Sequence, residues 1–272
     1  MSRQITKDTR LCISLAGRPS NIGTRFHNFL YEELGLDFVY KACTTADLVA
    51  AIAGIRGLGI RGCGVSMPYK EACIPYVDEL DASARALQSV NTIVNEDGHL
   101  RAYNTDYIAV AKLLERYRVS PALSFALHGS GGMGRAVAGA LRDAGFRAGI
   151  ILARNETTGR PLAATHGYQW RTELGEARPE LLINVTPIGM TGGPDAETPA
   201  FEPTVIDGAK LVFDVVAVPP ETPLVRYART QGKPVITGAE VIALQAAEQF
   251  ALYPGVRPNE EQIRRASAYA RA

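Results

Sequence analysis

The chain has 272 residues, 21% of them charged, and a formal net charge of +1; this suits one large or two modest domains and gives no electrostatic basis for binding nucleic acid or a membrane surface. The first residues, Met1-Ser-Arg-Gln-Ile-Thr-Lys-Asp8, contain no apolar signal region, and no apolar run approaches the roughly 18–20 residues of a membrane span, so a soluble cytoplasmic protein is expected. Cys12, Cys43, Cys63 and Cys73 lack metal-ligand spacing and read as reduced thiols, so no metal site is expected either.

In chain order, the apolar run 11–16 closes at Gly17-Arg18-Pro19 and predicts a strand. A helix over 24–34 puts Phe26, Phe29, Leu30 and Leu34 on one face and stops at Gly35. A strand at 38–42 follows, then a helix capped by Thr45 that runs through Leu48, Ile52 and Ile55 and ends near Gly57. A third strand, 60–65, leads into Ser66-Met-Pro-Tyr-Lys70. Runs at 88–95 and 100–103 flank Glu96-Asp97-Gly98, a hairpin signature. An amphipathic helix follows at 107–117. Strands alternating with helices imply a mostly parallel sheet with one antiparallel member from the hairpin.

Val119-Ser-Pro121 reads as the entry to a second unit. There the apolar run from Leu123 ends in Gly129, Gly131 and Gly134, at G-x-G-x-x-G spacing, and a helical pattern begins at Arg135. This is the strand–turn–helix setting that receives a dinucleotide pyrophosphate: glycines allow the turn and the close backbone approach, and the helix N-terminus offers free N–H groups. Strands are predicted at 148–153, 181–186, 211–216 and 235–237, helices at 158–165 and 222–231, and a surface loop at 189–203. A long helix, 239–252, is apolar on several sides and is expected to be buried between two domains. A last helix begins near Pro258.

Several residues have the chemistry for a site. At the end of the strand after the glycine loop, where an acid would bind a ribose 2′-hydroxyl, the chain has Leu152-Ala-Arg154-Asn155-Glu156. A guanidinium there suits a 2′-phosphate and favours NADP over NAD; alone it would equally suit a solvated turn. Lys70 follows an apolar strand, and lysine can take an alcohol proton when desolvation lowers its pKa. Asp106 can orient that ammonium or cap a helix, or do both. Asn91, Asn104 and Asn184 lie in or beside strands, where asparagine is unfavourable and often marks a turn or a directed hydrogen bond. Gln245 raises the same question inside the long helix. His27, His99, His128 and His166 show no metal or triad spacing.

On Val65-Ser-Met-Pro-Tyr-Lys70, Ser89-Val-Asn-Thr92, Asn104-Thr-Asp106, Gly129-Ser-Gly-Gly-Met133, Asn184-Val-Thr-Pro-Ile-Gly-Met190 and Gly238 through Gln245, the chain resembles the shikimate dehydrogenase family over nearly its whole length, most closely its divergent shikimate dehydrogenase-like branch. The resemblance implies an α/β fold: an N-terminal, mostly parallel substrate-binding catalytic domain (1–106, completed by 238–272) and a Rossmann-type NADP-binding domain (107–237), with a C-terminal helix returning to the first. It implies Lys70 as catalytic lysine with Asp106 its partner, and substrate contacts at Asn21, Ser66, Asn91, Thr105 and Gln245. Cofactor contacts are implied at Gly129, Ser130, Gly131, Gly132, Met133, Gly134, Arg154, Asn155, Thr186, Val215 and Gly238. The expected activity is NADPH-linked interconversion of shikimate and 3-dehydroshikimate, a step of aromatic amino acid biosynthesis through the chorismate pathway. The expected partner is a small cyclic polyol acid, and the expected assembly a monomer or homodimer.

The chain departs from the family where the substrate carboxylate is gripped. Two serines expected six and four residues before His27 are Asn21 and Gly23, the loop from Gly17 to His27 is two residues short, and a tyrosine expected three residues after Asp214 is Ala217. Arg18, Ser20, Thr24 and Arg25 stand in the same loop as substitutes. In the phosphate clamp, Thr158 replaces a basic residue and Arg160 is the nearby alternative. Quinate or an amino analogue as substrate, and a non-catalytic NADP-binding regulator, are the alternatives.

Overall fold

The computed structural model describes residues 4–85 and 87–272. They form two compact units, Met1–Ile108 with Ala243–Ala272, and Ala109–Ile242. Both borders fall inside helices.

The first unit runs β1 (Arg10–Leu15), α1 (Asn21–Glu33), β2 (Phe38–Cys43), α2 (Leu48–Gly57), β3 (Gly62–Val65), α3 (Tyr69–Ala72), β4 (Glu79–Leu80), α4 (Ala82–Arg85), β5 (Thr92–Glu96), β6 (His99–Tyr103) and the start of α5 (Thr105–Arg116). Its sheet has the order β2-β1-β3-β5-β6-β4. β5 is antiparallel to both neighbours and the other pairs are parallel, as the hairpin predicts. The hairpin turn puts Asp97 and Gly98 at φ 52° and 92°, the paired positive φ of a two-residue turn that matches strand twist. The sheet is covered on both faces because its strands are apolar on both. On β1, Ile13 packs with Ile52 and Ile55 of α2, whereas its neighbour Cys12 packs with Phe26, Leu30 and Tyr31 of α1. Successive side chains of a strand point to opposite faces, and each fully buried Leu or Ile contributes about 1.5–3 kcal/mol.

The second unit continues with β7 (Phe125–His128), α6 (Gly132–Asp143), β8 (Gly149–Leu152), α7 (Glu156–His166), β9 (Gln169–Arg171), β10 (Leu181–Asn184), α8 (Pro203–Gly208), β11 (Leu211–Asp214), α9 (Pro223–Thr230), β12 (Val235–Thr237) and the first turn of α10 (Gly238–Leu252). Its sheet is parallel throughout, with order β12-β11-β10-β7-β8-β9. Counted from β7 as the first strand, this is the Rossmann order, and strand direction of travel reverses between β7 and β10. The rest of α10 and then α11 (Glu260–Arg271) belong to the first unit. A capping box between Asn259 and Gln262 opens α11.

Local details differ from the sequence expectation. Asp47 caps α2 by accepting from the Ala50 N–H at 3.0 Å, while Thr45 folds back on Asp47 itself. Residues 88–91 are not strand. The predicted surface loop at 189–203 is anchored by Ala200 and Phe201, which are buried with Val205 and Leu182. The short elements β4, α4, β9 and α8 have no periodic signal long enough to predict them. None of the helices described is long and apolar enough to cross a membrane.

Close packing sets a clear test. A Cβ on Gly62 would lie 2.1 Å from Tyr253 Cδ1, whereas one on Gly54, inside α2, would meet nothing within 4 Å. Gly62→Ala should lose about 1–3 kcal/mol to overpacking, and Gly54→Ala should gain about 0.5–1 kcal/mol from helix propensity. Urea denaturation of both variants checks this, and a shift of the same sign in both would refute it.

Candidate active site

In the first unit, the chain leaves β3 through Ser66 and enters α3, which carries Lys70. Asp106 is the second residue of α5. Lys70 Nζ donates to Asp106 Oδ2 at 2.7 Å, with the two side chains 27% and 12% exposed, a half-shielded ion pair. Asp106 is free to make it because another residue caps the helix. Asn104 Oδ1 accepts from the Tyr107 N–H at 3.0 Å, and its Nδ2 donates to the Ser89 carbonyl at 2.9 Å. The cap that suited Asp106 in the sequence therefore belongs to Asn104.

Lys70 and Asp106 line a cavity of about 220 Å³ with Ser66, Asn91 and Gln245. Asn91 is buried, and its Oδ1 accepts from Thr92 Oγ1, the Thr105 N–H and Thr105 Oγ1 at 3.0, 2.7 and 3.1 Å. Gln245 Nε2 donates to Thr105 Oγ1 at 3.0 Å. Thr105 is fully buried and supports the cavity from behind, and neither it nor Asn21 is part of the lining.

Sequence reading missed a polar floor. Gln249, one turn after Gln245, lines the cavity and donates to Thr92 Oγ1 at 3.0 Å and to the Asn91 carbonyl at 3.2 Å. Its Oε1 lies 3.2 Å from His27 Nε2. Burial lowers the His27 pKa to about 3 against that hydrogen bond, so the ring is neutral, and it stacks on Tyr40 with centroids 4.3 Å apart. Gly64 makes room for this floor: a Cβ there would sit 2.8 Å from Tyr40 Oη and 3.1 Å from Gln249 Nε2. The four-residue spacing of the two glutamines puts them on one helix face, and that spacing is the signal in the sequence that points to Gln249. At the rim stand Arg18, Ser20 and Gly23. Arg25 instead lies over the Tyr269 ring, 4.7 Å from its centroid, and Thr24 Oγ1 is buried without a hydrogen-bond partner among the described residues.

The second unit has a cavity of about 450 Å³ at the carboxyl ends of β7, β8 and β10, lined among others by Gly129, Ser130, Gly131, Arg154, Asn155 and Thr186. This is the switch point of a doubly wound sheet, where such sheets bind ligands. The glycines divide into two kinds. Gly129 has φ 120° and a Cβ there would meet Val185 at 2.7 Å; one on Gly134 would meet the Gly129 carbonyl at 2.7 Å. At Gly131 and Gly132 a Cβ would meet nothing within 4 Å. The fold requires the first pair, and the second leaves open space over the N-terminus of α6, whose N-cap, Gly131, provides no side-chain cap. That space and those N–H groups fit a dinucleotide pyrophosphate. Ser130 Oγ lies 2.7 Å from Thr158 Oγ1, tying the loop to α7. Arg154 is exposed, and among the described residues no hydrogen bond or ion pair engages it. Arg160 is occupied, by Glu156 at 2.8 Å and by the Trp170 ring. Gly132, Met133, Gly134, Val215 and Gly238 do not line this cavity. A Cβ on Gly238 would lie 2.3 Å from the Val215 carbonyl, so these two backbones are in close contact. His128, at the end of β7, was not singled out in the sequence; it lines the cavity, and burial lowers its pKa.

Behind this cavity lies a buried carboxylate. Asp214 accepts from Asn184 Nδ2 at 3.0 Å, the Val216 N–H at 3.0 Å and Thr222 Oγ1 at 2.6 Å. Asn184 Oδ1 in turn accepts from the N–H and hydroxyl of Thr186 at 3.0 and 2.6 Å. Asn184 thus sets the turn that lines the cavity. Burial outweighs the three donors and raises the Asp214 pKa to about 6.

Comparison with known proteins accords with this geometry. A family model described as the shikimate dehydrogenase substrate binding domain matches residues 21–93. A shikimate dehydrogenase-like protein of Haemophilus influenzae is 55% identical over 267 residues, 98% of each chain. The NADP(+) shikimate dehydrogenase of Pyrococcus abyssi is 34% identical, covering 93% of this chain and 96% of its own. The solved shikimate 5-dehydrogenase of Thermus thermophilus, in complex with NADP(H) and shikimate, superimposes with a TM-score of 0.83 at 28% identity, covering 96% of this chain and 99% of that one.

Asp214 generates a pH test. Its folded pKa, about 6, lies above the ordinary 3.8, so between about pH 4 and 6 the folded chain keeps a proton that the unfolded chain has lost. Its contribution to stability therefore falls by about 3 kcal/mol as pH rises through that window and is level above it. Asp214→Asn keeps an acceptor and has no charge to bury. The difference in unfolding free energy between this variant and the parent should move in the variant's favour from pH 4 to 6.5, and a constant difference would refute the assignment.

Proposed function

The chain belongs to the shikimate dehydrogenase family, and we propose that it is an NADP-dependent oxidoreductase that interconverts shikimate, or a close analogue, and 3-dehydroshikimate. The observation that carries this reading is the Lys70–Asp106 pair, 2.7 Å apart, on the wall of a small cavity whose lining also offers the amides of Asn91, Gln245 and Gln249 and the hydroxyls of Ser14, Ser20, Tyr40 and Ser66. Such a lining suits a ring bearing several hydroxyls, each able to donate and accept.

When bound, NADP would supply the hydride-transfer chemistry at the carbinol carbon. The protein's part is the proton. Oxidation starts from the unprotonated Lys70 amine: Nζ receives the hydroxyl proton, and Asp106 holds the ammonium so formed in the ion pair that the structure shows. In reduction the ammonium returns that proton to the carbonyl oxygen. Asn91 and Gln245 orient the ring: Thr105 supports both amides, and no described protein acceptor takes the Asn91 Nδ2 hydrogens. On the cofactor side, Gly131 and Gly132 leave the space for the pyrophosphate, and Arg154 and Asn155 would meet the 2′-phosphate. The first unit is in this reading the substrate domain and the second the cofactor domain.

Lys70→Ala should lose turnover of shikimate by about 10²–10⁴-fold while NADPH binding, followed by fluorescence titration, stays within about twofold; near-normal turnover would overturn the role. Arg154→Ala should weaken NADPH binding by roughly 10- to 100-fold, the worth of a charge-assisted hydrogen bond, and leave NADH binding nearly unchanged. Equal losses for both nucleotides would remove Arg154 from the 2′-phosphate.

A further inference from the structure

The lining of the first-unit cavity carries three charged side chains, Arg18, Lys70 and Asp106. Lys70 and Asp106 pair with each other at 2.7 Å and cancel. Arg18 is left: among the described residues no hydrogen bond, ion pair or aromatic ring engages its guanidinium. Beside it, Ser20 occupies the N-cap of α1 but its side chain makes no cap hydrogen bond, and among the described residues no other group engages that hydroxyl. Next to these two, Gly23 presents no side chain to the cavity, and the floor beneath is Tyr40, whose Cε1 would be 3.6 Å from a Cβ on Gly23. Burial pushes the pKa of the Tyr40 phenol up, so the floor stays neutral.

We propose that in this chain Arg18, assisted by the Ser20 hydroxyl, is the specificity determinant for the anionic group of the substrate. The inference rests on the cavity being the substrate's seat, as proposed above. A cavity of about 220 Å³ holds one six-membered ring with its substituents. The Lys70–Asp106 pair is neutral overall and lies at the amide-lined wall that suits hydroxyls, so the site's uncompensated charge is at the Arg18 rim. A guanidinium presents a planar fork of N–H donors that matches a carboxylate with two parallel hydrogen bonds. A neutral substituent there leaves the fork unmatched, and an ammonium is repelled. Arg18 would thus fix which end of the ring faces the rim and therefore which hydroxyl faces Lys70.

The test compares shikimate with its methyl ester, a neutral near-isostere, on the full-length parent and on Arg18→Gln. For the parent, kcat/KM should favour the acid. Arg18→Gln should lower kcat/KM for the acid by about 10- to 100-fold, chiefly through KM, and change the ester by less than threefold. Arg18→Lys, which keeps the charge without the fork, should recover part of the loss. Equal losses for acid and ester, or no loss for either, would overturn the proposal. Calorimetric titration of both compounds in the absence of cofactor separates this from the proposed activity. A parent that turns over neither compound, yet binds the acid more tightly than the ester and loses that preference in Arg18→Gln, would sustain Arg18 and sink the dehydrogenase reading. Equal binding of acid and ester to the parent, or binding of neither, would sink the Arg18 proposal whatever the turnover.

Discussion

The carboxamide of Asn91 holds the first-unit cavity together. Its oxygen accepts three hydrogen bonds, two of them from Thr105 at the first turn of α5, and its backbone carbonyl accepts from Val65, at the end of β3, and from Gln249 on α10. One buried residue thereby joins the end of β3, the start of α5 and a face of α10. Removing it would leave several buried donors without acceptors, at about 1–3 kcal/mol each. The position of Asp106, one residue past Thr105, depends on this junction, and through Asp106 so does the orientation of Lys70.

Two shielded carboxylates in this chain meet different fates. Asp106 has a cation at 2.7 Å. Asp214 has three neutral donors and no cation among them, and its pKa rises to about 6 because hydrogen bonds from neutral groups do not fully replace lost hydration. The first arrangement keeps charge at a cavity wall. The second ties together the end of β10, the end of β11 and the N-cap of α9 at Thr222. The same residue type thus holds a cation in one unit and sets loop geometry in the other.

Much of this was legible in the sequence because its signals are local. Apolar runs bounded by Gly and Pro gave the main strands, Asp97-Gly98 gave the hairpin, and Gly129 to Gly134 gave the turn at β7. Short motifs marked Lys70, Asp106, Asn91 and Gln245, and these residues line or support one cavity. What stayed hidden depends on tertiary neighbours. Asn104 and Asp106 are equally good caps on paper; only the proximity of Lys70 divides the roles. Gln249 and Tyr40 look like ordinary helix and strand residues until Gly64 brings them to one floor. Arg160 looked free for a phosphate clamp, but a carboxylate one turn away and an indole ring already hold it.

The glycines of the β7–α6 turn separate two kinds of selection. Gly129 and Gly134 are fixed by backbone conformation and by contact, so a chain must keep them in order to fold. Gly131 and Gly132 face open space, and the folded state alone places little demand on them. A population of variants sorted only for solubility would retain the first pair and drift at the second, while one sorted for nucleotide retention would hold all four. The difference between the two surviving populations would separate, position by position, what this turn owes to its architecture from what it owes to its ligand.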